Sequence, residues 1–127
     1  MAQVAAIAHE FTSPEMETFN KRPVDLVHLA RHTLGNRDLE REVLQIFVRQ
    51  SAIYLDRIQG AKTGPEQQMA AHTIKGSARG IGAWEVAECA DALENAASTP
   101  AALNQLADAV ERTNNFILAL LDTPSEA

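Results

Sequence analysis

Apolar residues recur at three- and four-residue steps along most of this chain, most clearly from about Asp38 to Gln59. There Leu39, Val43, Ile46, Phe47, Tyr54 and Ile58 share one side, while Arg41, Glu42, Arg49 and Arg57 mostly take other faces. That is the pattern of an amphipathic helix. A second such segment opens at Thr63-Gly64-Pro65, carries Met69, Ile74, Ala78 and Ile81, and stops at Gly82. A third runs from Trp84 to about Ala97 with Val86, Ala90, Leu93 and Ala97 facing inward. A fourth begins at Thr99-Pro100, a cap followed by a first-turn proline, and ends before Pro124. Its stripe is Leu103, Leu106, Val110, Phe116, Ile117 and Leu120. A shorter helix is predicted from Pro23 to about Leu34, with Leu26, Leu29, Ala30 and Thr33 on one side and Gly35-Asn36 as its stop.

No alternating Val/Ile/Thr run bounded by turns is present, so the chain reads as all-α. Four amphipathic helices on short connections cover one another's apolar stripes best as an antiparallel four-helix bundle. The short N-terminal helix is expected to pack across one end. The bundle accounts for residues 23–122. Residues 1–22 are expected to be a flexible arm, in which Ser13-Pro14-Glu15 could open a short helix, and residues 123–127 a tail.

Composition narrows the function more than the fold. The 127 residues suit one domain, and with only 5% aromatics the core must be aliphatic and alanine-rich. A net charge of −6 argues against a general nucleic-acid binder, which needs Lys and Arg for phosphates. The single cysteine, Cys89, allows no internal disulfide and reads as a small buried hydrophobe. No apolar run approaches the roughly 20 residues of a membrane span, and the first residues lack the basic start of a signal peptide. A cytoplasmic protein is expected, and a monomer, since a bundle that buries its own core needs no second copy.

The segment that carries chemistry is Ala71-His72-Thr73-Ile74-Lys75-Gly76-Ser77-Ala78-Arg79-Gly80-Ile81-Gly82. On a helix, Lys75, Gly76 and Arg79 follow His72 on one face, with Gln68 a turn behind, whereas Ile74, Ala78 and Ile81 project toward the core. Glycine inside a helix costs about 0.5–1 kcal/mol relative to alanine. Gly76 and Gly80 are therefore expected to serve access, letting a second molecule come close to the imidazole. A neutral imidazole nitrogen is a nucleophile, and Lys75 and Arg79 would stabilise a phosphoryl group carried on it. The stripe Gln68, His72, Lys75, Gly76, Arg79 and Gly80 is the predicted docking face.

These residues resemble the signature of the histidine-containing phosphotransfer (HPt) domains of bacterial and fungal phosphorelays. That signature is a helical histidine, Lys-Gly at the third and fourth positions after it, two small residues, and an apolar-Gly pair. His72, Lys75, Gly76, Ser77, Ala78 and Ile81-Gly82 match it in order. The resemblance covers roughly Pro23 to Leu121. It implies phosphorylation of His72, charge stabilisation by Lys75, and a Gly76 kept small for the partner. The family often places on the next helix a glutamine that bonds the histidine ring. Ungapped counting puts Glu94 there, where a carboxylate could accept from the imidazole N–H and fix its tautomer, yet would repel a phosphoryl oxygen.

The implied function is a phosphorelay carrier that takes phosphate from the aspartate of one receiver domain and gives it to another. The partners are response-regulator receivers, a hybrid histidine kinase being one source of such a domain. No Walker-type loop for ATP is present, and no cofactor is expected in the chain itself; the receiver would bring Mg²⁺. A receiver-binding adaptor without transfer is the alternative, against which the intact His72-Lys75-Gly76 triplet speaks. A histidine-kinase dimerisation domain fits less well, because Thr73 rather than an acidic residue follows His72. His28 and His32 sit four apart, but no third ligand accompanies them, so they are read as surface or helix-end residues rather than metal ligands. Trp84 is read as an anchor for the start of its helix.

Overall fold

The structure is a computed structural model, and it describes residues 22–96 and 98–123. Every regular element among them is helical: α1 (Leu26–His32), α2 (Arg37–Gly60), α3 (Gly64–Ile81), α4 (Trp84–Asn95) and α5 (Pro100–Asp122). The arm expected at residues 1–22 lies outside the described residues except for Arg22, as does the tail beyond residue 123.

Local chemistry fixes most of the helix starts. Asp25, Asn36, Thr63 and Thr99 each accept a hydrogen bond from the backbone N–H three residues on, satisfying a donor that the first turn leaves unpaired. At α3 the Glu66 carboxylate also reaches back past the cap, accepting from the N–H of Lys62 at 3.2 Å. The helix starting at Trp84 has no side-chain cap; Ala83, in the N-cap position, is fully buried. The short helix α1 is trimmed at both ends relative to the predicted Pro23–Leu34. Leu34 and Gly35 both adopt positive φ, at 54° and 75°, which turns the chain out of the helix before Asn36 restarts it. The segment predicted from Trp84 to about Ala97 likewise ends earlier, at Asn95, where Ala96 becomes extended; Ala97 lies outside the described residues.

The four long helices contact one another in a closed cycle, α2 with α3, α3 with α4, α4 with α5, and α5 with α2, while α1 packs on α3. The space they enclose holds Leu44, Phe47, Ile58, Ile74, Leu93, Leu106 and Ile117, with seven alanines filling the close approaches. Polar ties join α2 to α5: Ser51 meets Asn114, and Arg41 donates to the carbonyls of Leu121 and Thr123. Since α5 has no basic residue in its last turn, Arg41 supplies the cation that its C-terminal carbonyls favour.

Three residues of the predicted apolar patterns are exposed. Leu39 and Ile46 are each 41% exposed and Met69 is 74% exposed. On α2 the buried stripe is Leu44, Phe47, Ser51 and Ile58, rotated from the predicted one. On α3 it is Ala70, Ala71, Ile74, Ala78 and Ile81, so small alanines, not Met69, meet the neighbouring helices.

The turn between α3 and α4 is the tightest point of the fold. Gly82 adopts φ +79°, and a β-carbon there would lie 2.8 Å from the Asp25 β-carbon, so both conformation and space require glycine. The Gly82 carbonyl also accepts from the Asp25 N–H at 2.9 Å, joining the segment before α1 to this corner. Replacing Gly82 with alanine should lower unfolding stability by about 1–3 kcal/mol in a denaturant titration. Gly80→Ala, at a helical position with open space around the added carbon, should raise it by about 0.4–1 kcal/mol.

Candidate functional site

The helix signals around Gly82 place two helices face to face in a fixed register. His72 and Glu94 each lie eleven residues from Ala83, and Lys75 and Asp91 each lie eight. Those are the pairs that meet. The Nδ1 of His72 is 2.7 Å from Glu94 Oε2. The Lys75 ammonium is 2.5 Å from Glu94 Oε1, an otherwise unpartnered buried oxygen, and 3.2 Å from Asp91 Oδ1. Asn95 in turn donates to Asp91 at 2.9 Å.

His72 stands at the centre of the solvent face of α3, with 67% of its side chain exposed. A carboxylate only accepts hydrogen bonds, so the proton of this contact sits on Nδ1, which in the neutral ring leaves the lone pair on Nε2. Lys75 differs from its expected outward position. Only 13% of its side chain is exposed, because it lies along α4 between the two carboxylates. The Lys75 hydrogen bond is the main reason that Glu94 is held below the ordinary glutamate range, with the His72 bond adding to it and partial burial opposing. The same contact raises Lys75 above the ordinary lysine value, against desolvation.

Around this pair the face is open. Gly76 and Gly80 are exposed, with nothing within 4 Å of where a β-carbon would stand, and Gln68 is exposed a turn behind. Arg79 is exposed but makes no contact with His72; its side chain borders a small hollow with Trp84, Ala87, Glu88 and Asp91. Its backbone carbonyl accepts from His28 Nε2 at 2.9 Å, which ties α1 to the end of α3. Trp84 anchors the same corner, donating to Asp25 at 3.1 Å and meeting the His28 ring edge-on at 4.8 Å. The His28 and His32 rings meet at 4.1 Å, tilted 48° to each other, and no three His, Cys, Asp or Glu side chains converge as a metal site requires among the described residues. Cys89 is half-buried, its thiol pushed up by desolvation and then by Glu85 and Glu88.

On the other flank the surface turns apolar. Met69 lies one turn behind His72 on the same face, and an apolar hollow of about 310 Å³ between α1, α2 and α3 is bordered by Leu39, Ile46, Phe47, Ser77 and Gly80. Asp91 and this apolar rim were not among the residues expected from sequence. Counting outward from Ala83 would have found Asp91 opposite Lys75, and the three-residue step from Met69 to His72 would have placed Met69 outside.

The face therefore presents an exposed helical imidazole bound by a carboxylate of the next helix and bordered by a side-chain-free strip. A family model, the Hpt domain, matches residues 42–116, more than half of the chain, and the chain belongs to that family. Hpt domains are phosphocarrier modules of two-component signalling that interact with receiver domains, and the chain has that general role. No curated protein and no solved structure gives a significant match. No helix among the described residues is long and apolar enough to cross a membrane.

Glu94 titrates in a direction that can be tested. A carboxylate held below its unfolded value contributes stability that is full above the ordinary glutamate range and is lost as pH falls through the lowered value. The stability difference between the native protein and Glu94→Gln, from urea titrations, should therefore be constant near neutrality and shrink on acidification. A difference that persists unchanged into strong acid would show that the Lys75 and His72 bonds do not favour the carboxylate.

Proposed function

We propose that the chain is a histidine phosphotransfer protein in which His72 takes a phosphoryl group from a receiver-domain aspartate and passes it to a second receiver. The observation that carries this reading is the exposed His72 ring whose Nδ1 is bound to Glu94, leaving Nε2 free toward solvent beside Gly76. In that geometry the Nε2 lone pair can meet phosphorus in line as the aspartyl oxygen departs. The receiver contributes the aspartate and Mg²⁺, and the chain itself supplies position and charge without a cofactor of its own.

In this reading Lys75 acts mainly through Glu94, offsetting the carboxylate that would otherwise repel the incoming phosphoryl oxygens, and Arg79 adds a mobile cation at the edge of the face. Gln68, Gly76 and Gly80 frame the contact area. The apolar rim of Leu39, Ile46 and Met69 supplies contact area for a transient partner. The cycle of helix contacts and the equal spacing of its cross-links about Ala83 support an antiparallel four-helix bundle with α1 at one end, working as a monomer in the cytoplasm, where Cys89 stays reduced.

Labelled receiver phosphate gives the test. The native protein should acquire an acid-labile, base-stable label, as a phosphoramidate does, and His72→Gln should acquire none while keeping its helical circular dichroism. Label retained by that variant would end the assignment; binding of receivers without any label on the native protein would make the chain a non-transferring adaptor. Gly76→Phe should weaken receiver binding about tenfold or more by calorimetry without unfolding, since space beside Gly76 is open in the free protein. Lys75→Ala should slow transfer about tenfold or more, a larger effect than on binding.

A further inference from the structure

Phosphorylation changes the charge of the imidazole, and the group that feels this change most directly is Glu94. When the neutral ring attacks, the Nε2 lone pair becomes the N–P bond, and the P–O bond to the donor breaks with its electron pair going to the aspartyl oxygen. The proton on Nδ1 stays, so the phosphorylated ring is a cation. On onward transfer the N–P bond breaks, its pair returns to Nε2, and the ring leaves as neutral imidazole. If Nδ1 loses its proton first, the ring must leave as an anion, and transfer stalls.

We infer that Glu94 is a positioning residue whose carboxylate keeps the phosphorylated His72 ring protonated on Nδ1, holding the carried phosphate in its transferable form toward alkaline pH. The inference rests on His72 being the phosphoacceptor. Three observations carry it. Glu94 Oε2 is 2.7 Å from Nδ1, in reach of that one proton. A glutamine amide in the same place accepts the same hydrogen bond but has no charge to set against the cation. Lys75 does not cancel Glu94 outright, because its ammonium is shared with Asp91 at 3.2 Å. Two carboxylates and one ammonium leave the cluster with a net negative charge, and Glu94 is the member that touches the ring. The other charged or titratable groups near this face line hollows that His72 does not border: Arg79 with Glu88 of α4 on one side, and Tyr54, Asp56 and Arg57 of α2 with Glu66 of α3 on the other.

The experiment uses the full chain phosphorylated with the small donor phosphoramidate, whose P–N bond breaks as ammonia leaves. Label loss from His72 is followed against pH. The native protein should show a low-pH plateau, where the ring is protonated, and a fall at higher pH as Nδ1 deprotonates. Glu94→Gln should keep the plateau and shift the fall toward acid, so that label is lost about tenfold more slowly on the alkaline side. Lys75→Gln should shift it the opposite way, since it removes the cation that offsets Glu94. A scaffold role alone would change the plateau in both variants and displace neither profile.

Coincident profiles for native protein and Glu94→Gln, with His72 still labelled, would overturn the inference and leave the carrier reading standing. Failure to label His72 in the native protein would overturn the carrier reading and the inference with it. If Glu94→Gln loses helical content, nitrogen-15 spectra of the unphosphorylated native protein decide the point: Nδ1 should carry the hydrogen and Nε2 none, and an even mixture of tautomers would overturn the inference.

Discussion

The reversal at Gly82 sets the register in which α3 and α4 face each other, and the site exists only in that register. A left-handed residue closes the turn in two positions, Gly82 and Ala83, and the Asp25 backbone presses against it where any side chain would stand. From that point the two helices run back along each other, and their facing positions pair at matching distances from the turn. One residue more in the turn would rotate α4 by about 100° relative to α3. Glu94 would then miss both His72 and Lys75. The glycine that ends a helix is thus also the residue that positions a carboxylate twelve residues away.

The site balances three demands that pull against one another. A nucleophile must be exposed, yet an exposed imidazole rotates freely and divides itself between tautomers. Glu94 resolves this by bonding Nδ1 from the next helix while Nε2 stays in water. A carboxylate beside an incoming phosphoryl group is repulsive, and Lys75, drawn in between Glu94 and Asp91, tempers it. A partner must also come close, and the cost falls on α3, which carries two glycines in its solvent face where alanine would favour the helix. None of these features strengthens the core, which is built on the opposite side of the same helix from Ala70, Ala71, Ile74, Ala78 and Ile81.

Helix positions were legible because their signals are local. Thr63 before Gly64-Pro65, Thr99 before Pro100, and Gly82 after Ile81 act through bonds to residues within one turn, so the linear order of residues contains them. The outward placement of His72, Gly76 and Gly80 was legible for a similar reason, since a helix repeats its faces at fixed spacing. The inward stripe of α2 was read with less success. Leu39 and Ile46 obey the apolar period but border an open hollow, because which flank of a broad apolar stripe is covered depends on where the neighbouring helices lie. Met69 is apolar and exposed for the same reason, on a face reserved for the histidine.

By itself, then, the chain's order of residues determined an all-helical protein, where its four long helices begin, and a histidine standing clear of the core beside glycine. What only the tertiary structure decided was the company that histidine keeps. Lys75 reads as a free cation in one dimension and proves to be held between Asp91 and Glu94, and Asp91 carries no local mark of its role. Periodicity fixes the face on which a side chain stands, because the backbone imposes it. Which charges meet across two helices depends on register and separation, and these are set by packing around Gly82 and the alanine core rather than by any spacing along one helix.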